Sequence, residues 1–476
     1  MIPPDDKPAQ TRLEQLGYRQ DLNRRLNVAE VVGLAMADVS PTMAVLFLSA
    51  GVFAVGGTFS IGAGLILSVV VVLIALCLAE LAGMFPVAGG MYSLVRKVLP
   101  GPIAWITMFN YLIQGIVIPA SIALGIGAFL KNLIPGLTIS DPLLAVILLA
   151  AVTLLAVTTV EVGAWATALM VVVELAVLGI VTVAAFANPH QSFTEVTFHP
   201  TVLDNGQLVA VGFAVMFATL APAFNVINGY DAALGFSEEL KGGERNIGKA
   251  VIISAVLACV FIMIPLIAAV IAAPDLKEFF SAPAPVVYSV EASLGAKAGA
   301  IVDIGVTVAL FNAMLALLMY FGRGVYTTAR DGAWPAAANR VIGSLNRFRA
   351  PGVGVVILAV PAAILVFTSA LNFLIIFSGT VIAAVYLCIG LAALRSRRSM
   401  PNEPRPFRMP LWPLPPLVVV VFTAIALATQ GTEYILGELV LIALALAAWA
   451  GSKKWSAPAP VAPAVPDDGA RLDPTH

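Results

Sequence analysis

The sequence predicts an all-α integral membrane protein with about twelve transmembrane helices. Of 476 residues, 60% are hydrophobic and only 11% are Asp, Glu, Lys or Arg, against roughly 25% charged in soluble domains. Mean hydropathy is +0.97. A soluble fold of this length has no means of hiding so much apolar surface, so that surface must meet lipid. The apolar residues also fall into runs of roughly 20, the length that crosses a ~30 Å hydrocarbon core as a helix. Isolated strands cannot satisfy their backbone there.

In chain order the predicted spans are 27–53, 60–84, 101–130, 142–159, 163–187, 208–238, 248–273, 298–328, 352–369, 371–394, 412–430 and 434–450. The longest external connections are 188–207 and 274–297. The polar start, about two dozen residues long, does not read as a cleavable signal, so the first apolar span directs insertion. Segment 11–26 places Leu13, Leu16 and Leu22 among Arg and Gln, and reads equally as an interfacial amphipathic helix or a solvated tail. The end, 451–476, is rich in Pro and Ala and reads as a disordered cytoplasmic tail.

Orientation follows from Lys and Arg. With a cytoplasmic N-terminus, 23 of the 26 basic residues fall on the inner side. Lys131, Lys277 and Lys297 are the 3 left outside. Both termini are therefore expected in the cytoplasm, in a multi-pass protein of the inner or plasma membrane.

Several function classes drop out. Net charge is −1 and no basic stripe is interleaved with aromatics, so no nucleic-acid partner is expected. Cys77, Cys259 and Cys388 are too scattered for a metal cluster. His190, His199 and His476 lie outside the spans, and neither HExxH nor Gly-x-Ser-x-Gly occurs, so no enzyme is expected, and no cofactor or metal. The run Gly243 to Lys249 has phosphate-loop spacing, but Ala250 stands where magnesium needs Ser or Thr.

Two spans look interrupted. The first carries Asp38, Ser40 and Pro41 near its middle. Proline removes a donor and clashes with the carbonyl four residues back, and an acid at that depth costs roughly 2.5–3.5 kcal/mol on an insertion scale. The sixth carries Pro222, then Asn225, Asn228, Gly229 and Asp231. One such helix reads as a kink. Two, five spans apart, are the pattern of a transporter built from inverted repeats.

Four motifs then carry a resemblance. Ala79-Glu80-Leu81 through Phe85-Pro86-Val87-Ala88-Gly89-Gly90-Met91-Tyr92 resembles a signature of the amino acid–polyamine–organocation (APC) transporter superfamily. Ser237-Glu238-Glu239 with Glu244 to Ala250, Ala329-Arg330-Asp331-Gly332, and Arg405-Pro406-Phe407-Arg408-Met409-Pro410 are similar to three more, in family order. The resemblance covers nearly the whole chain. It implies a LeuT-type fold: a core at 27–395, its inverted repeats at 27–187 and 208–395, then two additional helices and their preceding loop at 396–450.

The resemblance places substrate at the two breaks. Carried onto this chain, the first break covers Asp38, Val39, Ser40, Pro41, Thr42 and Met43, and the amides of Thr42, Met43 and Ala44, at the start of the second half-helix, hold a carboxylate. The second break covers Asn225, Val226, Ile227, Asn228, Gly229, Tyr230 and Asp231, with freed carbonyls around Asn225 to Asn228 accepting from an amino group. The family's glycine-rich first break is replaced here by Asp38-Val39-Ser40-Pro41-Thr42. Pro41 offers no N–H, and Asp38 could instead meet a cationic amine or a proton. A span-five position that holds lysine in some members is Glu174 here. Glu174 and Asp231 join Asp38 as candidates for proton coupling or gating.

Asn110, Tyr111 and Gln114 in span three, with Asn312 and Tyr320 in span eight, are candidate cavity residues or helix-to-helix bonds. Asp303 reads as reaching the outer interface, and Glu80 as a pairing residue near Arg96 or Lys97 in sequence. The expected function is secondary active transport of amino acids or related small amines by alternating access, proton-coupled, with sodium the alternative ion. An amino acid/polyamine exchanger is the alternative within that class. A receptor on the same fold is the alternative outside it.

Overall fold

The computed structural model describes residues 15–16, 24–87, 89–134, 136–158, 163–348 and 350–454. Most of the 11–26 stretch, motif residue Ala88, Arg349 and the tail from Trp455 lie outside the described residues.

The first span is α1 (Val28–Val39), a single turn Pro41–Met43, a π turn Ala44–Leu48 and α2 (Ser49–Gly56). Asn27 and Glu30 close the start of α1 with a capping box. Then come α3 (Phe59–Met84), the short α4 (Gly90–Val98), α5 (Gly101–Leu133), α6 (Asp141–Thr158) and α7 (Gly163–Ala187). The connection after α7 holds α8 (Phe193–Phe198) and a hairpin of β1 (Thr201–Asp204) and β2 (Gln207–Ala210). The interrupted sixth span is α9 (Phe213–Ala218), α10 (Leu220–Val226) and a 3₁₀ helix Tyr230–Phe236. Beyond it lie α11 (Gly243–Ile271), α12 (Leu276–Ser281), α13 (Pro285–Leu294), α14 (Ala296–Arg330) and α15 (Ala336–Ile342). The chain closes with α16 (Gly352–Thr368), α17 (Leu371–Ser399), α18 (Leu414–Ala428) and α19 (Thr432–Ser452).

Among the described residues, nine helical segments are long and apolar enough to cross a membrane. Shorter apolar helices stand at α6, α16 and α18, where the fourth, ninth and eleventh spans are expected. Outward side chains such as Val69, Val183 and Ile364 stay more than half exposed, as a lipid-facing surface requires.

The all-α expectation needs one correction. Residues 208–210 are the second strand of the hairpin, not the start of the sixth helix. Asn205 and Gly206 both take positive φ (48° and 75°), the two-residue turn that matches strand twist. Thr58 pins this hairpin to the C-terminal end of the first span. Its N–H donates to the Thr201 carbonyl at 2.9 Å, and its hydroxyl accepts from the Thr201 N–H at 2.8 Å.

Helix packing encloses the two interrupted spans. Helix α1 meets α7, α14 and the 3₁₀ helix, α11 packs along α3, and α14, α17 and α19 all pack on α5. Helix α10 lies against α17, where a Cβ at Gly379 would strike the Ala221 carbonyl oxygen. Glycine there sets the approach distance of the two backbones. The run Gly243 to Lys249 is the first two turns of α11, with no phosphate-cradling loop.

On the side expected to be cytoplasmic, the motif charges pair with one another. Arg330 meets Glu238 at 3.1 Å, Arg323 meets Glu239 at 3.4 Å, and Arg96 meets Asp331 at 2.7 Å. Glu80 pairs with neither Arg96 nor Lys97. It takes Arg397 through both oxygens (2.8 and 2.6 Å) and the Met409 N–H at 2.7 Å. Arg405 stands 3.6 Å from it. Burial pulls the Arg405 guanidinium below its ordinary pKa, with the nearby Glu80 charge opposing. Span two is thereby stapled to the end of α17 and to the loop after it.

Candidate functional site

The first break starts from Pro41, which disfavours a helical conformation at the residue before it. Ser40 answers with a left-handed backbone, φ 38° and ψ 77°, fully buried. Such a conformation costs roughly 1–2 kcal/mol for a residue with a side chain, so something must hold it. The Ser40 hydroxyl donates to Glu174 Oε2 at 2.9 Å, and the Thr42 hydroxyl donates to the Glu174 carbonyl at 3.2 Å. From α14, Asn312 donates to Glu174 Oε1 at 3.4 Å. One buried acid on α7 thus links the break to two other helices.

Beyond the break a new helix begins at Pro41, leaving first-turn donors without acceptors. The Ala44 N–H is taken by the Ser40 carbonyl at 3.0 Å. Among the described residues, the amides of Thr42 and Met43 make no such bond. The expected three-donor cradle therefore contains two available donors in this structure.

The second break opens where α10 ends at Val226. Gly229 takes φ +95°, and a Cβ on it would lie 2.8 Å from Val39 N and 3.0 Å from the Asp38 carbonyl carbon. The two breaks touch through their backbones at this glycine. Among the described residues, the carbonyls of Asn225, Val226, Ile227 and Asn228 receive no backbone N–H. Unpaired donors on one break therefore stand beside unpaired acceptors on the other. That polarity complements a carboxylate and an amino group.

The side chains divide into three groups. Asn225 donates to the Ile375 carbonyl at 3.0 Å, and Tyr386 donates to Asn228 Oδ1 at 2.8 Å, tying the second break to α17. Tyr230 stacks on Tyr386 with centroids 6.1 Å apart. Tyr320 donates to Asp231 Oδ2 at 3.2 Å and meets Tyr111 edge-on at 6.0 Å. Asp38 Oδ1 and Asp231 Oδ1 are both buried and accept no hydrogen bond among the described residues.

Span three turns partly elsewhere. Asn110 donates to Glu438 on α19 at 2.9 Å, and Gln114 donates to the Asn110 carbonyl at 3.2 Å. Asp303 is buried near Glu291. Sequence reading gave no partner for Glu438, Tyr386 or Ser60. The isolated acid in the last span is the signal that could have marked the first of these.

Next to Val226 and Ile227 lies a narrow cleft with room for about one water molecule, lined also by Val52, Phe53, Ile61 and Met263. Its two hydroxyls are used locally: Ser49 donates to the Val45 carbonyl at 2.6 Å and Ser60 to the Val52 carbonyl at 3.0 Å. The walls therefore present hydrocarbon.

The family model described as "Amino acid permease" matches residues 26–447. The chain belongs to the amino acid permease family, within the APC superfamily. This permease is similar to the branched-chain amino acid permease BcaP of Bacillus subtilis, 23% identical over 428 residues, covering 84% of this chain and 88% of that protein. BcaP of Lactococcus lactis is also 23% identical, over 424 residues, covering 84% and 87%. The methylthioribose transporter of Bacillus subtilis is 23% identical over 441 residues, covering 87% and 89%. Relatives at one level of identity thus carry names for different cargo. Family and relatives make the chain a multi-pass membrane permease, with names that indicate a transporter and not an enzyme.

Proposed function

We propose that this permease accumulates amino acids with apolar side chains by alternating access, driven by protons. In this reading the amides of Thr42 and Met43 hold the substrate carboxylate. The carbonyls of Asn225 to Asn228 hold its amino group, and the apolar cleft beside Val226, narrow in this conformation, widens to take the side chain. Glu174 is the proton site. The observation that carries the proposal is its bonding to Ser40, Thr42 and Asn312. A proton gained or lost there changes what holds the strained break, which couples ion to substrate. The names of the two BcaP relatives support the apolar side chain.

The spans are read as a 5+5 inverted repeat followed by two further helices, with both termini in the cytoplasm. The distribution of Lys and Arg supports that orientation.

A second reading has its own observation. The free oxygens of Asp38 and Asp231 suit a cationic side chain or a diamine, carried in exchange for another amine.

Uptake by proteoliposomes separates the readings. Labelled leucine, isoleucine, valine, lysine, putrescine and methylthioribose are offered with and without an inward proton gradient, and again with a sodium gradient. Gradient-driven leucine accumulation supports the proposal. Lysine or putrescine uptake only into preloaded vesicles replaces it with the exchanger, and sodium dependence replaces the ion.

A further inference from the structure

Helix α19 faces outward along most of its length: Leu436, Leu439, Val440 and Leu444 are each more than half exposed. Glu438 points the other way and is 9% exposed. No salt bridge to it occurs among the described residues. Of the helices packed against α19, α5 contributes Asn110 and α17 contributes Cys388. The Cys388 thiol is engaged with Thr107 and brings no positive charge.

The hydrogen-bond inventory around this acid is uneven. Asn110 spends its two amide hydrogens on Glu438 Oε1 at 2.9 Å and the Ile106 carbonyl at 3.2 Å. Left over are Asn110 Oδ1 and Glu438 Oε2, both buried and without a donor. Two orphan acceptors on an interacting pair lack a single hydrogen between them. An ionised carboxylate is acceptor-only and cannot supply it, whereas a protonated carboxyl donates one.

We propose that Glu438 is a neutral carboxylic acid in a reciprocal pair with Asn110: amide N–H to Oε1, and Oε2–H to Oδ1. The ring satisfies both orphans and leaves no net charge buried between the helices. It also makes Glu438 a positioning residue. Asn110 is the chain neighbour of Tyr111, whose ring meets Tyr320, which in turn holds Asp231. Fixing the rotation of α5 from the outside aims Tyr111 at that contact. A helix outside the proposed repeats thereby takes part in the geometry of the site.

The first test needs no substrate, so its failure is separable from failure of the transport reading. Infrared spectra of the full-length chain in liposomes are compared between wild type and Glu438→Gln. The difference is expected to show loss of one protonated-carboxyl C=O stretch that shifts in D₂O. Loss of an ionised-carboxylate band instead overturns the proposal. Glutamine keeps both bonds of the ring, so it is expected to rescue what alanine loses. Initial leucine uptake in Glu438→Ala should fall about tenfold and in Glu438→Gln stay within about twofold of wild type. A Gln variant as poor as Ala, or one that does not fold, overturns the proposal as well.

Discussion

Ser40 reaches Glu174 across 134 residues of sequence, its hydroxyl 2.9 Å from the carboxyl oxygen, from a backbone conformation that serine rarely adopts. The strain and the bond belong together, because the left-handed turn is what presents the hydroxyl to α7. Glu174→Gln removes the titratable group while leaving an amide oxygen to accept from Ser40. Leucine counterflow between preloaded vesicles is expected to survive, and accumulation driven by a proton gradient to disappear. Full gradient-driven accumulation in this variant would assign coupling elsewhere.

Gly229 offers a matched pair of substitutions. Gly229→Ala meets two obstacles, a positive φ worth roughly 1–2 kcal/mol and a Cβ 2.8 Å from Val39 N. Gly206→Ala meets only the first, since nothing lies within 4 Å of its added Cβ. Uptake should fall at least about tenfold in the first variant and change less than about twofold in the second. Equal losses in the two would mean that backbone strain, not contact between the breaks, decides.

Asp38 separates neutral from cationic cargo. In Asp38→Asn the charge goes but the volume stays. If the apolar-substrate proposal holds, the KM for leucine moves little. If the carboxylate serves a cationic substrate, lysine and putrescine uptake is lost while any leucine uptake remains. Competition against labelled leucine in both proteins reads this directly.

At the other end of the molecule, Glu80 is nearly inaccessible and bonded to Arg397 through both oxygens. Removing one member of a buried pair leaves the other uncompensated. Glu80→Ala should destabilise the detergent-purified protein by about 3 kcal/mol, read as an earlier thermal transition. A double-mutant cycle with Arg397→Ala should recover part of the loss, since the second substitution removes the stranded charge.

The spans were legible because lipid imposes a length on apolar runs, and the breaks because Pro41, Asp38, Asn228 and Gly229 are costly in a lipid-facing helix. The pairings were not. Glu80 has Arg96 and Lys97 nearer in sequence, yet its partners stand 317 and 325 residues away in the chain. Periodicity gives a helix face but not the neighbour that face meets, and span three has neighbours on several sides. That is why Asn110, open in the sequence between a cavity residue and a helix-to-helix bond, gives no hint that its amide partner lies on α19. The hairpin had a local signal in Asn205-Gly206, masked because its second strand, Gln207–Ala210, continues into the apolar run of α9.

Pro222 has no N–H to offer the Ala218 carbonyl. That oxygen receives Gln430 Nε2 at 3.4 Å, and the neighbouring Phe217 carbonyl receives the Thr429 hydroxyl at 3.1 Å. Both donors sit on the turn between α18 and α19. The N-terminal half of the sixth span is therefore moored to the two helices outside the proposed repeats. If the proposed alternating access tilts that half-helix, the tilt has to slip both moorings or drag the turn along, which would make the terminal helix pair a mechanical load on it and not ballast.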